Sequence, residues 1–166
     1  MALQGLIESM EKLTALHGML IELGKQKTSV LVHNEVEQLN RLVQQESQLV
    51  RQITEWNGKR EAAVMEFLLH KGFRPSPNVT VSELTKLIFN AEEKQTVLNL
   101  QQLLLGRITE LRQLNAVNQQ LIEQSLAFID YSLDVVLGPP EDEAVYRNPM
   151  QQTSRAKRNG YFDTRA

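Results

Sequence analysis

The five prolines of this 166-residue chain sit in two places, Pro75 with Pro77 and then Pro139, Pro140 and Pro149. Proline lacks a backbone donor and clashes with the preceding helical turn, so nothing local opposes a helix more strongly. The residues before Pro75 and those from Asn78 to Gly138 are free of it. Both runs are predicted to be helical, and the organisation of the chain follows from where they must turn.

In the first run Leu3, Leu6, Ile7, Met10, Leu13, Leu16, Leu20 and Leu23 recur at steps of three and four, the spacing that lines one face of a helix. This predicts a helix from about Ala2 to Leu31. His33-Asn34-Glu35-Val36-Glu37 then offers Asn and Glu three residues apart, as in a capping box, so a reversal into a helical hairpin is expected. A second stripe comprises Val36, Leu39, Val43, Leu49/Val50, Ile53, Trp56, Ala63/Val64, Phe67 and Leu68. It stops at His70-Lys71-Gly72, where glycine suits a left-handed cap and cations suit the carboxyl end. The second helix is expected to be roughly 38 residues, or about 57 Å, long.

The second run opens on a loop, Arg74 to Asn78. Thr80-Val81-Ser82-Glu83 has capping-box spacing ahead of Leu84, Leu87 and Ile88, which predicts one short helix. Asn90-Ala91-Glu92-Glu93 repeats the signal, and a break or a smooth bend there fits the pattern equally. Val97, Leu100, Leu104, Ile108, Leu111, Leu121/Ile122, Leu126, Ile129, Leu133 and Val136 then mark a helix reaching Gly138. Helices this long draw their stability from burying their stripes against one another. The expected fold class is therefore all-α: an elongated antiparallel bundle of three long helices plus one short helix over residues 1–138. A flexible tail over 139–166 is expected to follow, because Pro139-Pro140-Glu141-Asp142-Glu143 blocks the helix and no apolar period continues.

Composition narrows the function. Leu (25 residues) and Gln (16) against nine aromatics favour helix over strand. A net charge of −2 gives no field that would draw the chain onto nucleic acid. Without cysteine there is no disulfide, thiolate zinc site or cysteine nucleophile, a state compatible with a reducing cytosol. The opening MALQGLIESMEKL lacks the basic and apolar regions of a signal peptide, and no apolar run is long enough to span a membrane. A cytoplasmic location is expected.

The search for chemistry returns little. The residues three before His17, His33 and His70 are Thr14, Val30 and Phe67, so the Glu-x-x-His spacing of carboxylate-bridged metal bundles is missing. Glu66 and His70 share a helix face, which reads as a solvated or capping histidine. Gly24-Lys25 with Lys27-Thr28 lacks the upstream glycine and the strand-to-helix setting of a phosphate loop. No catalytic residue, cofactor or metal site is expected, and the chain reads as a non-enzyme.

Surface for another chain is what remains. Leu103, Leu104, Leu105, Leu111, Leu114, Val117, Leu121, Ile122, Leu126, Phe128 and Ile129 cover more of the last helix than one narrow stripe. Either the helix touches both earlier helices or part of it forms a groove for an incoming amphipathic helix. Asn115 and Asn118 lie among these residues, as register-fixing interface groups or as surface groups beside the core. In the tail, Val145-Tyr146 and Tyr161-Phe162 are either docking elements or segments that fold back.

Taken together, a cysteine-free, leucine-rich hairpin, the stretch Leu111-Arg112-Gln113-Leu114-Asn115-Ala116-Val117-Asn118-Gln119-Gln120-Leu121 and a tail ending Phe162-Asp163-Thr164-Arg165-Ala166 resemble the FlgN-type flagellar export chaperones, particularly those of Gram-positive bacteria. The L-x-x-L-N-x-x-N-x-x-L pattern and the tail carry most of the likeness, which covers essentially the whole chain. The resemblance implies a cytosolic chaperone that holds the terminal helical segment of hook-filament junction proteins of the FlgK and FlgL type for the flagellar type III export apparatus. It implies client contact through the last helix and the tail, here Leu114, Val117, Leu121, Phe128, Tyr161 and Phe162. It also implies docking to the export-gate protein FlhA through a tyrosine matched by Tyr146, after which Arg147-Asn148-Pro149 replaces a small and acidic turn. A coiled-coil adaptor or self-associating scaffold is the alternative.

Overall fold

A computed structural model describes residues 2–76 and 78–138. Among the described residues there are four helices and no strand: α1 (Ala2–Val32), α2 (Val36–His70), α3 (Val81–Thr85) and α4 (Ala91–Leu137). The protein is all-α, as its proline-free runs predict. It divides into two compact units, Met1–Ile122 and Glu123–Ala166. The first unit holds α1, α2, α3 and the greater part of α4, and forms a helical bundle.

Each helix ends where the chain chemistry stops it. Asn34 takes a positive φ of 55°. Its N–H donates to Leu31 O at 3.4 Å while Glu35 N–H donates to Val30 O at 3.1 Å, the paired bonds of a Schellman cap closing α1. Asn34 therefore ends α1 and does not begin α2. The residue preceding α2 is Glu35, and its side chain makes no capping bond. The capping-box spacing at Asn34 was thus a carboxyl-terminal signal, since asparagine tolerates the left-handed region almost as glycine does. Gly72, at φ 82°, closes α2 in the same way, with Gly72 N–H to Leu69 O at 3.0 Å and Phe73 N–H to Leu68 O at 2.9 Å.

The Thr80 capping box is complete. Glu83 N–H donates to Thr80 Oγ1 at 3.2 Å, and Thr80 N–H donates to Glu83 Oε2 at 3.1 Å. At Asn90 the chain breaks and starts afresh, because Asn90 Oδ1 accepts from Glu92 N–H at 2.9 Å and from Glu93 N–H at 3.3 Å.

Pairing directions in the first unit follow from who meets whom. Lys27 of α1 faces Glu46 of α2, and Gly5 faces Ala63, so α1 and α2 are antiparallel. Thr14 meets Arg107 while Thr28 meets Asn118, so α4 runs parallel to α1 and opposite to α2. At one end Leu3, Leu6 and Met10 pack with Ala63, Val64, Phe67 and Leu68, closed over by Leu84, Ile88 and Val97. Leu6, Met10, Leu84 and Val97 are essentially free of solvent, and burying each stabilises the unit by about 1.5–3 kcal/mol.

On α2 the buried side is 39, 42, 46, 49, 53, 56, 60, 63 and 67, an unbroken alternation of three and four that includes Glu46 and Arg60. Counting only apolar residues slides the stripe onto Val36, Val43 and Val50, all of which are exposed, whereas Leu42 is buried. Glu46 holds its place by pairing with Lys27 at 3.1 Å, and Arg60 by donating from Nε to Asn57 Oδ1 at 3.1 Å.

Candidate functional site

The α1/α4 seam of the first unit is polar at its centre. Arg107 donates from Nη1 to the carbonyl oxygen of Thr14 at 2.6 Å, its guanidinium lying over Gly18 where any Cβ would fall 2.8 Å from Nη1. Further along, a Cβ on Gly24 would fall 2.5 Å from Leu114 Cδ2. Glycine is needed here because Leu114 packs directly on the α1 backbone. One turn on, Asn118 donates from Nδ2 to Gly24 O at 3.0 Å, while Thr28 Oγ1 lies 3.0 Å from the same oxygen and 2.5 Å from Asn118 Oδ1. Of the two asparagines, Asn118 is the interface residue and Asn115 is exposed.

This placement divides the candidate client residues. Leu114 and Leu121 are half-buried, and Leu114 is engaged with α1. Val117 is 48% exposed. The last helix thus packs on α1 through Leu114 and Asn118 and joins the core shared with α2 through Val97, while Leu111 and Ile122 border a small cavity together with Lys27, Glu46 and Val50. Of its wide apolar coverage in this unit, Leu104, Leu111, Leu114, Leu121 and Ile122 are half-buried, while Leu103, Leu105 and Val117 are exposed.

In the second unit the described residues are the end of α4. Phe128, the remaining candidate on the helix, is 66% exposed there. So are four residues of the helical stripe, two of which, Leu126 and Ile129, also belong to its wide apolar coverage. Leu126, Ile129, Leu133 and Val136 are 56%, 51%, 49% and 79% exposed, and they follow one another at steps of three, four and three. That spacing is the a/d seam of a coiled coil. Tyr131, Val135 and Leu137 are exposed as well. The signal was available in the sequence as a heptad that continues beyond the length of its partner stripes. Tyr146, Tyr161 and Phe162 lie outside the described residues.

An exposed apolar seam at helical spacing is a face on which an amphipathic helix can dock. Among the described residues no group of three or more His, Asp or Glu side chains is arranged to hold a metal ion, and no helix is long and apolar enough to cross a membrane. The family model described as FlgN protein matches residues 1–154. The chain belongs to the FlgN family. Within that likeness, the uncharacterized protein YvyG of Bacillus subtilis strain 168 is 26% identical over 167 residues, covering 100% of both chains. No solved structure matches. FlgN proteins form a family of flagellar export chaperones, not of enzymes, and bind export substrates. A FlgN chain is thus expected to offer helical surface to a client, which agrees in kind with the exposed seam of α4.

Proposed function

We propose that this FlgN-family chain is a cytosolic chaperone that holds the carboxyl-terminal helical segment of hook-filament junction proteins of the FlgK and FlgL type, prevents their premature aggregation and delivers them to the export-gate protein FlhA. The observation that supports this reading is the run of exposed apolar side chains at the end of α4 in a chain of this family. Apolar side chains of an unassembled helical segment are costly in water, and a complementary leucine-rich face covers them reversibly. Ordering a segment on binding lowers net affinity, which suits a client that must later be released.

Client contact is assigned to Val117 and Phe128 foremost, with Leu114 and Leu121 contributing the edges that α1 and α2 leave uncovered, and with Tyr161 and Phe162 from the tail. Residues 1–138 supply the helical body and 139–166 a flexible docking segment, whose Tyr146 engages the export gate. Calorimetric titration of the full chain with the carboxyl-terminal peptide of a FlgK-type protein is expected to give a 1:1 complex, weakened by Tyr161→Ala with Phe162→Ala. Absence of heat, together with a tight dimer in sedimentation that ignores the peptide, would instead favour a self-associating scaffold. Retention of FlhA binding by Tyr146→Ala would remove the gate assignment.

A further inference from the structure

From Gln113 to Gly138 the chain has no Lys, Arg or His, and its charged residues are Glu123, Asp130 and Asp134. With Leu126 and Leu133 at a and Ile129 and Val136 at d, Asp130 falls at e, directly beside the seam. Asp134 lies one turn further along the same edge. The opposite edge carries Ser125 and Ser132, both uncharged. Neither aspartate forms an ion pair among the described residues. The last turn of α4 contains no basic residue, so the negative end of the helix dipole adds to the two carboxylates. The apolar seam is therefore bordered on one side by two carboxylates that have no ion-pair partner among the described residues.

We infer that the occupant of this face is an amphipathic helix of a partner protein whose apolar stripe is edged by Lys or Arg. The inference rests on the client-binding reading above and adds to it the charge of the client. Charges flanking a helical seam choose the partner by steering and by penalising like charge, while the seam supplies the contact area. The same carboxylates repel anionic lipid headgroups, which argues against a membrane surface as the occupant.

The test uses the full chain and two three-heptad helical peptides with an identical leucine stripe, one edged by Lys and the other by Glu, titrated by calorimetry. The Lys-edged peptide is expected to bind about tenfold more tightly or better at low salt, with the gap closing at high salt. Asp130→Lys with Asp134→Lys is expected to reverse the preference, and Asp130→Asn with Asp134→Asn to abolish it. The paired variants report independently, should the lysines disturb the helix by circular dichroism. Equal binding, failure of both peptides to bind, or a preference that survives both variants overturns the inference. A FlgK-type carboxyl-terminal peptide that binds wild type and variants alike would overturn it while leaving the chaperone reading intact. Failure of that natural peptide to bind wild type, with the Lys-edged peptide still preferred, would sink the chaperone reading alone.

Discussion

Asn118 on α4 is 2% exposed and donates its side-chain amide to the carbonyl oxygen of Gly24 on α1 at 3.0 Å. An amide in that position is satisfied only when the two helices hold one register, because a slip of one turn would leave it buried without a partner. Asn118→Ala is expected to destabilise the protein by about 1–2 kcal/mol, read as a lower urea midpoint with an unchanged slope. An unchanged midpoint would show that the bond does not form in solution.

Gly24 and Leu114 form the apolar half of the same contact. Replacing a helical glycine by alanine gains roughly 0.5–1 kcal/mol where the space is open, as at Gly58, whose Cβ would meet nothing within 4 Å. Gly58→Ala is therefore expected to raise the midpoint. Gly24→Ala is expected to lower it, since Leu114 must leave its place. In a Leu114→Ala background the same change should become stabilising, a coupling that a double-mutant cycle measures.

Lys27 and Glu46 pair at 3.1 Å with side chains 17% and 19% exposed. Glu46→Ala strands a largely buried ammonium and is expected to cost about 1–3 kcal/mol. Converting both to apolar residues, Lys27→Met with Glu46→Leu, should be neutral or stabilising by thermal unfolding, since the desolvation of both charges is avoided.

The start of α3 depends on one hydroxyl. Thr80→Ala removes the acceptor for Glu83 N–H and is expected to cost about 1 kcal/mol. Because Leu84 of that short helix is fully buried in the core, the loss should appear in global unfolding and not only as local fraying. Amide exchange at Glu83 that speeds up while the midpoint holds would contradict this.

Val117 and Phe128 are exposed, so Val117→Ser and Phe128→Ser should leave the unfolding midpoint nearly unchanged. Each is expected to weaken binding of a FlgK-type carboxyl-terminal peptide, Phe128→Ser by about tenfold or more, because aromatic anchors carry a disproportionate share of binding energy. Equal affinity for both variants and the wild type would move the client elsewhere.

Much of this architecture is written locally. Proline placement, the three-four periodicity of Leu3 to Leu20, Gly72 at the end of α2, Thr80 with Glu83, and Asn90 ahead of two glutamates are short-range chemistry, and the boundaries they set sit within a residue or two of where that chemistry puts them, whereas α3 stops at Thr85, short of Leu87 and Ile88. Asn34 shows the limit of local reading. The same residue caps either end of a helix, and only the backbone conformation it adopts reveals that it closes α1.

What the chain alone determined is therefore the order of its helices and most of their ends, which are set by groups a few residues apart, while the break at Asn90 and the early end of α3 appeared only in the structure. Tertiary structure decided which polar residues belong inside: Glu46 because Lys27 stands opposite, Asn118 and not Asn115 because Gly24 leaves a carbonyl within reach. It also separated the half-buried Leu114 from the exposed Leu126, Ile129, Leu133 and Val136, residues of one chemistry and one helical spacing. Hydrophobicity is a property of a side chain, but burial depends on whether another surface arrives to cover it.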